Sequence, residues 1–113
     1  VLIIEINKFL CESTNEPHAI INSNSLHSII NYDQFVFGHE LYPTIEDKIS
    51  FIVCSIIKNH CFANGNKRTA VIILSILLEA NNFPLIAEDR LFNIIINTAT
   101  HAFDIYKFKT KNL

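Results

Sequence analysis

The chain has 113 residues, half of them apolar, with 9 basic side chains against 11 acidic ones and a net charge of −2. That length supports one domain, residues 1–113, around one core. The balance of charge argues against a basic nucleic-acid-binding face and against an acidic tail. The longest nearly unbroken apolar run, Val71–Leu78, is too short to cross a membrane, and the N-terminus lacks the basic region of a signal peptide. Three cysteines, Cys11, Cys54 and Cys61, show no metal-ligand spacing and no even-numbered disulfide framework, which fits a reducing, cytosolic setting. Cys11 and Cys54 fall in apolar-periodic contexts and read as core thiols, whereas Cys61 is expected to be partly exposed.

In chain order, Leu2, Ile3, Ile6, Phe9 and Leu10 recur at helical spacing and predict an amphipathic first helix, broken at 13–18 around Pro17. Asn22–Asn24 read as turn or capping residues before a short helix over 25–32 that buries Leu26, Ile29 and Ile30. Residues 33–42 mix Phe35, Val36, Phe37 and Gly38 without helical period, as a short hairpin or flap would. Thr44 is placed to cap the next helix, with Asp47 in capping-box position. Ile45, Ile49, Ile52, Val53, Ile56 and Ile57 then form a helical stripe up to Asn59. A helix over 67–80 is apolar nearly all round, so it belongs in the middle of a bundle. Asn81, Asn82 and Pro84 end it. A further helix over 87–100 turns Leu91, Ile94, Ile95 and Thr98 inward, and a last one starts near Phe103. The expected fold is all-α, a compact helical bundle with a short flap before the central helices.

Between the two most apolar helices sits His60–Ala70, HCFANGNKRTA. An imidazole, two asparagines, a glycine, a lysine and an arginine there suggest a loop feeding a helix N-terminus. Unpaired backbone N–H groups and the helix dipole favour an anion at such an end. Gly65 lets the backbone approach a ligand, Asn66 can donate an amide hydrogen, and Lys67 and Arg68 add positive charge. The plain alternative is a solvated Asn-Gly turn. His18, His27 and His101 have no paired spacing and read as surface or packing residues; His39 lies in the flap.

The run HCFANGNKRTA closely resembles the signature of the Fic/Doc superfamily, specifically its death-on-curing (Doc) branch. His60, Phe62, Asn64, Gly65, Asn66, Lys67 and Arg68 meet that branch's fixed positions. The Fic branch instead has Gly and a further Arg where this chain has Lys67 and Val71. Tyr42-Pro43-Thr44, opening the preceding helix, and Thr98-Ala99-Thr100 also look Doc-like. The resemblance implies a cytoplasmic toxin of a toxin–antitoxin pair that transfers the γ-phosphate of ATP to a hydroxyl of elongation factor Tu and halts translation. It makes His60 the general base, and Gly65, Asn66, Lys67 and Arg68 the phosphate-binding positions. Phe62 becomes a buried anchor, and the flap, with Phe35, Phe37 and His39, a docking site for the target. Asn64 stands where most active members carry an Asp or Glu that coordinates Mg²⁺; a neutral amide offers an oxygen without the charge. No Ser/Thr-x-x-x-Glu-Gly/Asn inhibitory motif is present, so inhibition is expected from an antitoxin whose disordered tail folds onto the bundle. Two alternatives stay open. One is Fic-type AMP transfer, against which Val71 argues; the other is a non-catalytic module binding nucleotide or a partner, for which Asn64 is the evidence.

Overall fold

Five helices and one small hairpin follow each other in a computed structural model that describes residues 2–30, 35–36, 39–40, 44–84, 86–100, 109 and 112. They are α1 (Leu2–Ser13), α2 (Ser23–Ile30), β1 (Phe35–Val36), β2 (His39–Glu40), α3 (Ile45–Lys58), α4 (Asn66–Ala80) and α5 (Glu88–Thr100). The class is all-α, and the flap is an antiparallel hairpin pairing Phe35 with Glu40 and Val36 with His39. The helix expected from Phe103 lies almost wholly outside the described residues.

The α3 stripe works as its spacing implies. Ile49, Ile52, Val53, Ile56 and Ile57 are buried, and only Ile45, in the first turn, stays exposed. Thr44 closes the helix start: its hydroxyl accepts from the Asp47 backbone N–H at 3.0 Å while the Asp47 carboxylate accepts from the Thr44 N–H. Helix α4 packs against α1, α3 and α5 through Thr69, Ala70, Ile73, Leu74 and Leu78, and leaves Ser75 and Ile76 to solvent. Its end is set by Asn81 and by Asn82, whose φ of 60° takes the left-handed conformation common after a helix C-terminus. Leu91, Ile94 and Ile95 of α5 and Leu26 and Ile29 of α2 complete the core. Asn22 caps α2, its side-chain oxygen accepting from the Ser25 N–H at 3.0 Å.

Helix α1 keeps only part of its expected orientation: Ile3 and Ile6 pack, partly buried, against the core. Leu2 and Phe9 are 57% and 68% exposed, while the two fully buried residues are Asn7 and Cys11. The i, i+4 line through those two faces α4 because Asn7 has polar partners there. Its amide donates to the Asn64 carbonyl at 2.8 Å and to Thr69 Oγ1 at 3.1 Å. With both amide hydrogens so used, the side-chain oxygen must accept, and it does so from His18 Nδ1 at 2.8 Å and the Cys11 thiol at 3.6 Å. The His18 tautomer is thereby fixed with its proton on Nδ1. Four buried or half-buried groups from three segments converge on one side chain, which outweighs the apolar pattern of the helix.

Thr44→Ala should lower stability by about 1 kcal/mol, as loss of a helix cap does, in a urea titration. Hydrogen bonds from Lys109 and then Thr44 hold the Asp47 carboxyl below its ordinary range. Its contribution is therefore complete above an unfolded-state value near 3.9 and is lost as pH falls through the lower folded-state value; Asp47→Asn should remove that part of the acid dependence. Asn7→Ala strands the buried Thr69 hydroxyl and the Asn64 carbonyl, and should cost about 1–3 kcal/mol by the same titration.

Candidate functional site: a cationic loop at a helix N-terminus

The loop between α3 and α4 begins with a left-handed residue. Asn59 caps α3 by donating to the Ser55 carbonyl at 3.1 Å, and His60 then takes φ 47°, turning the chain out of the helix where glycine is the usual choice. Histidine tolerates this region better than most side chains. The result is an exposed imidazole at the mouth of the loop.

Next, the chain pairs with the segment before α2. Ile20 bridges Phe62, Ile21 N–H donates to the Cys61 carbonyl at 2.8 Å, and Ala63 N–H donates to the Ala19 carbonyl at 2.9 Å. This pairing drives Cys61 and Phe62 inward, to 0% and 1% exposure. The expectation that Cys61 is partly exposed is thus overturned: burial pushes its thiol up to about 11, and its Sγ faces the Ser55 carbonyl. Phe62 is buried, with its ring 5.9 Å from that of His18.

Asn66 closes the loop on itself. Its amide donates to the Phe62 carbonyl at 2.8 Å and its side-chain oxygen accepts the Phe62 N–H at 3.0 Å. With both ends committed to backbone, what Asn66 presents outward is its own main-chain N–H. Gly65 precedes it at φ 75°, where L side chains are strained, and a Cβ there would come within 3.2 Å of the Asn7 amide nitrogen, so backbone and space both favour glycine. The first bond of the helix runs from Thr69 N–H to the Gly65 carbonyl at 2.8 Å. The N–H groups of Asn66, Lys67 and Arg68 therefore precede any helical acceptor. No side chain caps Gly65, and the first turn holds no acidic residue.

Lys67 is exposed and Arg68 half-buried at this open end. Arg68 is held from the connector that follows α1: Nη1 donates to Thr14 Oγ1 at 3.2 Å, and Nη2 forms an ion pair with Glu16. Thr14 in turn donates to the Glu16 carboxylate at 2.6 Å. Hydrogen bonds from Thr14 and Arg68 keep the Glu16 carboxyl below its ordinary range. Asn64 joins the same connector, its side-chain N–H donating to the Pro17 carbonyl at 3.0 Å. Val71, at the position of the second Fic arginine, lines a mixed groove between α4 and α5 with Ile72, Ser75, Ile76, Ile86, Glu88 and Leu91.

The structure thus brings His60, Phe62, Asn64, Gly65, Asn66, Lys67 and Arg68 into one loop and helix start. The side chains of Phe35 and His39, and the whole of Phe37, lie outside the described residues. Sequence patterning does not find Asn7, Thr14, Glu16 or His18, which reach the loop from more than forty positions away; no periodicity marks such long-range partners.

A model of the Fic/DOC family matches residues 1–78, more than half of the chain. Toxin Doc of Mycolicibacterium smegmatis (strain ATCC 700084 / mc(2)155) is 33% identical over 73 residues, covering 62% of this chain and 56% of the relative. The chain therefore spans little more than half the length of that protein. No solved structure gives a significant match. Among the described residues no helix is long and apolar enough to cross a membrane. With the matched stretch taking in α1, the connector, the hairpin and the entire His60–Ala70 loop, the chain belongs to the Fic/DOC family.

Proposed function

We propose that this chain is a Doc-type toxin that phosphorylates a protein hydroxyl with ATP, elongation factor Tu being the target the Doc resemblance suggests. The observation that carries the reading is the uncapped α4 N-terminus with Lys67 and Arg68 on it, in the same loop that begins with an exposed His60. Free N–H groups, the exposed Lys67 cation and the donors that Arg68 keeps beside its Glu16 pairing suit the β- and γ-phosphates, where charge builds during transfer. Arg68 supplies directional donors, and Lys67 a point charge. His60 takes the proton from the target hydroxyl as its oxygen bonds to the γ-phosphorus. The bond from that phosphorus to the β–γ bridging oxygen breaks, and ADP leaves. The match to a protein named Toxin Doc supports a toxin role and an antitoxin as partner. Val71 favours phosphate over AMP transfer, since an uncharged side chain replaces the second arginine of the Fic pattern.

The residues present do not fit a protein-held Mg²⁺. Position 64 has a neutral amide, which offers an oxygen without charge, and the nearby carboxylate of Glu16 is engaged by Arg68 and Thr14. Magnesium enters this scheme as part of the ATP substrate.

A transfer assay with ATP labelled at the γ- or α-phosphate, using elongation factor Tu and a cell extract as acceptors, tests the reading; label arriving from the α position would overturn it in favour of AMP transfer. His60→Gly should lose about a hundredfold or more of transfer. Because glycine relieves the left-handed backbone, the same variant should melt no lower than His60→Ala. A His60→Gly protein that transfers normally would remove the proposed base.

A further inference from the structure

Position 64 is where the family pattern expects a metal-binding carboxylate, yet its side chain is turned to a different task. The partner at 3.0 Å is the carbonyl of Pro17, which can only accept, so the atom facing it must be the amide N–H. From the other side, the Asn64 carbonyl accepts the Asn7 amide at 2.8 Å. Pro17 directly follows Glu16, and Glu16 and Thr14 together hold Arg68. His18, the next residue, is bonded to Asn7. The connector 14–18 is thus fastened to α4 through Arg68, to the loop through Asn64 and to α1 through Asn7, with Asn64 the middle point.

We infer that Asn64 is a positioning residue: its side-chain N–H tethers the connector to the loop and so keeps Thr14 and Glu16 in place to orient Arg68. An aspartate at 64 would not restore a metal site here. It would set a carboxylate oxygen against the Pro17 oxygen at hydrogen-bonding distance and remove the donor. Protonation of that aspartate would return an O–H that can donate to Pro17. The part of this inference that concerns Arg68 rests on Arg68 binding phosphate; the tether itself does not.

The test compares wild type, Asn64→Asp, Asn64→Ala and Arg68→Ala by thermal melting at pH 5 and pH 8, with and without MgCl₂, and by calorimetric titration with ATP. The titratable or charged neighbours of position 64 (Cys11, Glu16, His18, Lys67 and Arg68) are common to the two position-64 variants, so the contrast between those two isolates the new carboxyl. Asn64→Asp should melt below wild type at pH 8, recover toward it at pH 5, and gain nothing from Mg²⁺. Asn64→Ala should show a loss relative to wild type that does not shrink on acidification, and should weaken ATP by part of the factor lost in Arg68→Ala. Should Asn64→Asp fail to fold at pH 8, Asn64→Ala still carries both readouts. A rise in melting temperature and ATP affinity of Asn64→Asp with Mg²⁺, above wild type, would make position 64 a metal site and overturn the inference. So would wild-type melting of Asn64→Ala, or wild-type ATP affinity in it while Arg68→Ala binds weakly. Unchanged ATP affinity in Arg68→Ala would instead sink the phosphate-binding reading and the orienting role, leaving the tether to be judged by the melts.

Discussion

The loop depends on one buried amide. Asn7 sits at 0% exposure in the middle of α1, and a polar group so placed is tolerable only if every donor and acceptor is matched. Matching them fixes several things at once. The Asn64 carbonyl and the Thr69 hydroxyl are drawn to α1, the loop between them is held at its tightest point, and the Gly65 backbone lies so close to Asn7 that a side chain there would crowd it. Helix α1 is thereby more than a cover for α4, because its polar contact sets where α4 starts.

A division of labour follows within the motif. Phe62 and Asn66 build the loop, the first by filling the core and the second by bonding the backbone of the first. Gly65 leaves the helix end open, and Lys67 and Arg68 furnish charge there. Asn66 thus serves the proposed anion site through the loop shape it enforces and its main-chain N–H, while its amide group bonds the loop backbone. Such internal bracing is what a preorganised phosphate site needs, since donors already aimed need not be reoriented when charge develops.

Much of the scaffold was legible from residue types. The capping box at Thr44, the α3 stripe, the Asn-rich stop after α4 and the inward face of α5 are local patterns, and local hydrogen bonding and periodicity decide them. The motif loop was legible because its composition breaks so sharply with the helices around it. The orientation of α1 was legible only in part. Leu2 and Phe9 looked like core residues, and nothing about Asn7 in isolation announces that its partners lie 57 and 62 positions away. The connector 14–18 read as a helix break and no more, although its Glu16 pairs with an arginine 52 residues distant. Cys61 was misjudged for a related reason: it stands in a loop that is polar for most of its length, while its burial comes from backbone pairing with 19–22.

The environment of Cys61 carries a consequence for how the protein meets oxidants. A sulfur beside the proposed base looks like a weak point, because peroxide and electrophiles attack thiolates in exposed, electropositive places. Here the thiol is fully enclosed and its ionisation is displaced far from physiological pH, while Cys11 and Cys54 are buried as well. The loop is therefore built around sulfur without being governed by it. In the folded protein its cysteines are therefore shielded from such reagents, and the site stays the same size and shape as long as the core around them stays closed.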